Sequence, residues 1–517
     1  MIGHVLMVQG TSSSAGKSLL VAALCRIFAR RGVRVTPFKA QNMSNNAAVC
    51  ADGAEIGRSQ ALQAAAARIA PTADMNPILL KPEADACSQV IVNGRPWKTL
   101  GARDYFRTKE TLWPVVTQAL DRLRRDYELV VIEGAGSPAE MNLRNVEIVN
   151  MAVARYCQAP VLLVGDIERG GVFAQLLGTL WLLNDEERGL VRGLLINKFR
   201  GDVSLFEEGR TFLEQRGDVP VLGVIPWLSG LDLPEEDAEV LSRTTIPPPK
   251  TGNLDIAVIR LPRISNFDDF APLAAEAGLS VRYVDVASRL GRPHAIVLPG
   301  TKSTMSDLDW LRQTGLASSI VELARQGTHV VGICGGYQML GQTLHDPEQI
   351  ESRVIEMLGL GLLPTVTVFA PHKETHQVRG VIHDDRHCPG ARSQVVEGYE
   401  IHVGRTSGGQ PWLELMRHDD EKSAVHDGAT SDDGRVWGCY LHGLFNNDGF
   451  RRHWLNSLAQ HFGSEAPHHE QCDDADETHG FPERLDASLN RLADHVEAAL
   501  DTDRLEQIVW NQTGISL

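Results

Sequence analysis

The chain has 517 residues, which at about 150 residues per domain corresponds to three or four domains, or to two large ones. Hydrophobic residues make up 43% and charged residues 22%, ordinary globular usage that excludes disorder and fibrous architecture as the main state. Fifty basic against sixty-six acidic residues give a formal charge of −16, which argues against a general nucleic-acid or anionic-membrane surface and leaves local basic pockets open.

Over residues 1–242 short apolar runs alternate with helical patterns. Buried strands are predicted at Val5–Val8, Val33–Phe38, Leu129–Glu133, Pro160–Gly165 and Leu190–Asn197, with amphipathic helices such as Ser18–Arg31 and Thr111–Arg125 between them. The alternation predicts an α/β domain with a mainly parallel sheet covered on both faces, whose ligands sit beyond the carboxyl ends of the strands. Three successive prolines in Arg243–Asn253 cannot continue a helix or a central strand, so a linker is placed there. A second α/β domain is predicted over residues 254–460, with strand runs at Leu254–Leu261, Ala295–Leu298, His329–Ile333 and Arg435–Leu441. Residues 461–517 read as an acidic connector, carrying Asp473–Glu477, and one amphipathic helix with Leu485, Leu489, Leu492, Val496 and Leu500 at helical spacing. No stretch reaches the roughly 18 apolar residues of a membrane helix. The run Val5–Val8 has no basic region before it and enters a glycine-rich loop, so it reads as a strand and not a signal peptide. Eight cysteines without a C-x-x-C pair form neither a metal knuckle nor a disulfide framework, and a reducing cytoplasm is expected.

Gly10-Thr-Ser-Ser-Ser-Ala-Gly16-Lys17-Ser18 stands between a predicted strand and a predicted helix, the context of a nucleotide-binding P-loop. The backbone from Gly10 through Ser14 to Gly16, with the helix dipole, is expected to cradle phosphates. Lys17 would neutralise the outer phosphates, and the Ser18 hydroxyl would ligate Mg²⁺. Five residues separate Gly10 from Gly16, where the usual pattern has four. That spacing resembles the dethiobiotin synthetase-like branch of P-loop enzymes, which activate carboxylates with ATP. Glu133, closing its strand and opening E-G-A-G, fits that branch as a metal ligand. Asp52, in A-D-G-A-E-I-G-R, is either a second Mg²⁺ ligand or a plain turn aspartate. Asn197, followed by Lys198 at a strand end, stands where this branch reads the adenine base. Lys39, Gln41, Asn42, Asn45 and Asn46 follow the second strand and suit a substrate rich in carboxylates and carboxamides.

Gly332-Ile-Cys334-Gly-Gly336 follows the run His329–Val331, a cysteine counterpart of the nucleophile elbow. The Gly335 amide can serve an oxyanion hole with the backbone at Pro299-Gly300-Thr301. A free thiol is only a few per cent thiolate at neutral pH and needs a histidine partner; His442, in W-G-C-Y-L-H-G-L-F, is the predicted one. The other seven cysteines are read as structural. His372, His376, His383, His387 and Cys388 have metal-like spacing, but Pro371 and Asp384-Asp385 point to irregular surface, and His468-His469 to a solvated connector. Gly398-Tyr-Glu-Ile-His-Val-Gly-Arg405 has a strand-like frame and no role assignable from its residues.

A carboxylate-activating P-loop half followed by a cysteine-elbow half resembles the glutamine-dependent amidoligases. P-F-K-A-Q-N-M-S-N-N, A-D-G-A-E-I-G-R and G-D-I-E-R-G-G-V-F resemble the cobyrinate-amidating group and, within it, the cobyric acid synthase family, over nearly the whole chain. The resemblance implies a class I-type glutamine amidotransferase domain with Cys334 and His442 catalytic. It implies ATP- and Mg²⁺-dependent amidation of the b, d, e and g carboxylates of adenosylcobyrinic acid a,c-diamide, giving adenosylcobyric acid in cobalamin biosynthesis. The corrinoid, glutamine and ATP would be substrates; no tightly bound organic cofactor, nucleic acid or membrane partner is expected, and no oligomeric state is indicated. Class I enzymes carry a glutamate two residues after the histidine; here that position is Leu444, as in the cobyrinate group, so the orientation of His442 is unexplained. Other amidoligases (an a,c-diamide synthase or a CTP synthase-like enzyme) and a P-loop partitioning or assembly ATPase remain open alternatives.

Overall fold

The computed structural model describes residues 2–84, 87–231, 233, 253–418, 420–464 and 480–511. The described residues fall into two compact units: one holds 2–44, 55–233 and 485–511, the other 45–54 and 253–484. The expected linker, apart from Asn253, lies outside the described residues, as do Asp473–Glu477 and His468-His469.

The first unit is built on a parallel sheet. Its order is Val221–Pro226, Val191–Phe199, Val161–Asp166, His4–Gly10, Leu129–Glu133, Val35–Phe38. Alternate side chains feed opposite cores, as strand geometry requires. Val5 and Met7 pack with Leu112, Val116 and Leu176 on one face, Leu6 and Val8 with Leu20, Leu24 and Phe28 on the other. The sheet is therefore apolar on both sides because helices cover both. The helix predicted at Thr111–Arg125 runs over Ala102–Asp126 with Pro114 inside it. Proline there forfeits one helical hydrogen bond, and burial of Tyr105 and Leu112 before it and of Val116 and Leu120 after it holds the two sides together. The C-terminal amphipathic stretch forms two helices, Phe481–Ala499 and Thr502–Trp510. Leu489, Leu492 and Val496 join the Leu20–Phe28 core, and the buried Arg26 guanidinium pairs with Asp486 at 2.7 Å.

The second unit has its own parallel sheet. Its order is Leu279–Val284, Leu254–Ile259, Ala295–Leu298, His329–Ile333, Val436–Cys439, with Ala429–Thr430 antiparallel at the edge. A further, largely antiparallel sheet is organised by Val366–Ile382 and Val395–Ser407. This corrects the irregular surface expected around His372 and His376, which lie in the first of these strands. Pro371 sits in the register shift between Phe369 and Glu374, where a missing N–H breaks no regular ladder. Among the described residues no helix is long and apolar enough to cross a membrane.

Two buried histidines are expected to make this unit acid-sensitive. His387 lies against Trp412, Trp437 and Phe450, and His329 against His461 and Phe462. Neither ring nitrogen of either residue has a hydrogen-bond partner among the described residues. Burial, with His461 and Arg435 adding to it against Asp433, pushes His329 down to about 4. Burial pushes His387 down to about 3, Arg386 adding to it and Asp384 and Asp385 opposing. Both folded values lie below the unfolded one, so the stabilisation is complete above about pH 6.5 and is lost as pH falls through the folded values. For His329 the shift corresponds to about 3 kcal/mol at 1.36 kcal/mol per unit. Unfolding followed between pH 7 and 4 should show a steep loss of stability that His387→Phe flattens. An unchanged slope in that variant would remove His387 from the account.

Candidate active sites

In the first unit the P-loop leaves the strand His4–Gly10, and the helix Lys17–Arg30 starts immediately after it. Gly16 has φ 93°, where the backbone favours glycine, and a β-carbon there would come within 2.2 Å of Asn197 Nδ2 and displace that amide. The Lys17 ammonium donates to the carbonyls of Ser12 (2.8 Å), Ser13 (3.2 Å) and Gly136 (3.0 Å). It thereby ties the loop to the E-G-A-G turn. Asn150 holds that turn in place, accepting from Ala135 N and donating to its carbonyl.

The buried Glu133 carboxylate gathers four side chains. Oε1 accepts from Ser18 Oγ and Lys39 Nζ, both at 2.8 Å, and Oε2 from Gln63 at 2.6 Å and Gln60 at 3.4 Å. Ser18 and Glu133 are thus brought together as expected of a metal pair. Lys39, expected on the substrate, donates to Glu133 in this structure. Asp52 is exposed, accepts from Ala54 N in its own turn, and counts with the second unit.

The amide-rich run is divided too. Gln41–Met43 is a short strand; the Gln41 side chain accepts from Tyr105 Oη and Asn42 Nδ2 donates to Gln60 Oε1 at 3.0 Å. Asn45 and Asn46 belong to the segment counted with the second unit. Asn197, expected to read a base, donates to Ala15 O at 2.8 Å and accepts from Lys198 N. Lys198 bridges Ser14 O and Asp166 Oδ2. In this structure the Asn-Lys pair therefore buttresses the P-loop.

In the second unit Cys334 follows the strand His329–Ile333 at φ 52°, ψ −110°, a strained elbow of the kind stored at functional sites. A β-carbon on Gly336 would come within 1.9 Å of Leu298 O, so the turn closes only around glycine. The thiol lies 3.6 Å from Ile401 O. His442 is 1% exposed, its ring parallel to Tyr399 at 5.2 Å. Its Nδ1 meets Asp269 Oδ2 at 2.7 Å, and Asp269 Oδ1 accepts from Gly443 N at 2.9 Å. Burial alone would lower the imidazole, but the charges of Asp269 and Cys334 and their hydrogen bonds raise it to about 10. With Nδ1 engaged, the other ring nitrogen is the one left for sulfur chemistry.

Asp269 answers what orients His442 without a following glutamate; Leu444 is simply core. Nothing local in N-F-D-D-F marks it; the sequence offers only an acidic pair among aromatics past the strand Leu254–Ile259. Near the elbow, Ser265 N donates to Gly300 O at 2.9 Å, which turns the N–H of the same planar peptide, that of Thr301, the opposite way. A β-carbon on Gly335 would lie 3.2 Å from that Thr301 nitrogen, and one on Gly300 2.9 Å from His442 Cε1. The two neighbouring amides are therefore those of Gly335 and Thr301, while Gly300 lines the imidazole.

The Gly398–Arg405 motif acquires a structural role. Tyr399 covers His442, Ile401 faces the thiol through its carbonyl, and Gly398 lets the His442 backbone approach. Burial works against the Glu400 carboxylate, yet His402 and Arg417 hold it down at about 2. Among the described residues no group of three or more His, Cys, Asp or Glu is arranged to hold a metal.

Comparison with known proteins bears on both halves of the sequence. Residues 6–240 match the model of the CobQ/CobB/MinD/ParA nucleotide binding domain, and residues 255–450 that of the CobB/CobQ-like glutamine amidotransferase domain. Cobyric acid synthase of Chloroflexus aurantiacus is 52% identical over 512 residues, 98% of this chain and 100% of the relative. The chain belongs to the cobyric acid synthase family. Proteins of the same name from Herpetosiphon aurantiacus (51% identity, 99% of each chain) and Dehalococcoides mccartyi (48%, 98% of this chain and 99% of the relative) are similar over the same extent. For this member of the cobyric acid synthase family, Asp269→Asn should cut glutamine hydrolysis by about 10²–10⁴-fold, keeping shape but losing the charge behind the imidazolium. The alkaline limb of its pH–rate profile should move down, because His442 would lose the neighbour that raises its pKa. An unshifted limb would assign Asp269 to packing alone.

Proposed function

We propose that the chain uses ATP and glutamine to amidate the b, d, e and g carboxylates of adenosylcobyrinic acid a,c-diamide, giving adenosylcobyric acid. The observation that carries this reading is the Asp269–His442 pair beside a strained Cys334 in a chain that also places Ser18 and Glu133 under a P-loop.

In the second unit the Cys334 thiolate attacks the glutamine carboxamide carbon. The Gly335 and Thr301 amides face the developing oxyanion, and the His442 imidazolium gives its proton to the departing ammonia. Water then hydrolyses the γ-glutamyl thioester with His442 as base, releasing glutamate. In the first unit the carboxylate substrate takes the γ-phosphoryl group of ATP, since carboxylate oxygen is a poor leaving group. Ammonia displaces phosphate from the resulting acyl phosphate. Lys17 and the P-loop amides from Gly10 to Gly16 compensate the charge on the transferring group. Ser18 and Glu133, two oxygen donors 2.8 Å apart, suit Mg²⁺, which takes one or two protein ligands beside phosphates; once bound it would draw charge from the phosphate oxygens.

One P-loop serves four carboxylates on this reading, so the ring must rebind in new orientations. A limiting-enzyme time course on the a,c-diamide, read by mass spectrometry, should show intermediates with one, two and three added amides before the final product. A labelled pool of intermediate should be drawn in. Final product alone, with no uptake of label, would indicate a processive enzyme. No amidation of any corrinoid, with CTP formed from UTP, would overturn the proposed function itself.

A further inference from the structure

The Lys39 ammonium and the Ser18 hydroxyl share a single carboxylate oxygen, Glu133 Oε1, each at 2.8 Å. That oxygen is the one through which a metal held by Ser18 would have to be ligated. An ammonium and a divalent cation cannot both sit on it, since at a few ångströms in a buried site their repulsion outweighs what either gains. Lys39 and Glu133 are 8% and 1% exposed, so water offers neither much compensation. From this we infer that Lys39 is the metal's placeholder: it neutralises Glu133 until a metal binds, and loading of the metal–nucleotide expels its ammonium toward the acid substrate.

The backbone is built for a side-chain swing and nothing larger. Lys39 N donates to Met75 O at 2.8 Å and Lys39 O accepts from Asn76 Nδ2 at 3.0 Å, so the main chain is clamped on both sides. Oε2 of Glu133 keeps its amide donors Gln63 and Gln60 through the exchange, and Gln60 in turn accepts from Asn42. Occupancy of the metal site is thereby linked to the Gln41–Met43 strand. Released, the ammonium remains at the carboxyl end of the strand Val35–Phe38, beside that strand's residues, and can pair with a substrate carboxylate. The structure thus imposes an order: metal–nucleotide first, acid second.

The inference rests on the proposed metal role of Ser18 and Glu133, and the test separates the two. Binding of Mn²⁺·ADP to the full chain is measured by electron paramagnetic resonance, with thermal unfolding in parallel. ADP lacks the γ-phosphoryl group, so any direct contact of Lys39 with that group drops out of the comparison. Lys39→Met should bind Mn²⁺·ADP about tenfold tighter than the parent, since no ammonium must leave. It should also unfold at lower temperature without metal, and recover more on adding Mn²⁺·ADP than the parent does. Equal or weaker binding by Lys39→Met would overturn the placeholder. Ser18→Ala should lose Mn²⁺ binding; if it does not, the metal site itself is misassigned, whatever Lys39 does. Should Lys39→Met fail to fold, Lys39→Gln, which can still donate to Glu133 without charge, carries the same expectations.

Discussion

Replacing Cys334 by alanine is expected to lower glutamine hydrolysis by about 10⁴-fold or more, the usual cost of removing a nucleophile that acts with its base as a unit. Amidation driven by ammonium at raised pH should persist near the parent rate. The sulfur belongs to the second unit, where it meets Ile401 O and hydrogen-bonds with His442, whereas the proposed phosphoryl transfer depends on groups of the first. The measurement is paired: glutamate release from glutamine, and corrinoid mass increments from ammonium chloride. Loss of both activities in a folded Cys334→Ala protein would mean that the two chemistries do not divide between the units as proposed.

Lys17→Ala should have the complementary effect. Synthesis from either nitrogen source should fall by about 10³-fold or more, because the transferring phosphoryl group loses the cation that compensates its charge. Three carbonyls, those of Ser12, Ser13 and Gly136, also lose their shared donor, so the loop should bind nucleotide less well. Basal glutamine hydrolysis should survive, since nothing in thioester chemistry calls on Lys17. Ammonium-dependent synthesis retained by this variant would contradict the assignment.

What could be read in advance depended on how local the signal was. The P-loop and the cysteine elbow are each set by neighbours in sequence: strand before, helix after, glycines where the backbone must turn or be approached. Glu133 could be anticipated because a strand end places its carboxylate in a known direction. Asp269 could not, since its meaning depends on a histidine 173 positions later. Lys39 is legible only in part for the same reason: a cation among amides reads as a substrate grip, and only the tertiary structure sets the buried Glu133 carboxylate beside it. Asn197 is the opposite case: the resemblance supplies a base-reading role, and the fold adds a contact that sequence does not show, its side chain donating to the P-loop carbonyl of Ala15. The strand through Pro371 was hidden because a bulge removes the penalty that normally excludes proline from a ladder.

The two units are not consecutive stretches of chain. Ala47, from the N-terminal part of the sequence, donates its N–H to Asn266 in the second unit, and Gln377 donates to Val49 O. Leu489, Leu492 and Val496, from the C-terminal part, complete the core under Leu20 and Phe28 in the first. Cutting the gene between residues 233 and 253 would therefore yield neither unit whole. The upstream fragment would lack its last helices and expose an apolar face, and the downstream fragment would miss residues 45–54 while carrying a stripe of leucine and valine with nothing to cover it. Such halves should be insoluble when expressed singly and recoverable when made together. Lineages that separate these activities into two genes would have to rebuild both cores first, which gives selection a reason to keep them in one reading frame.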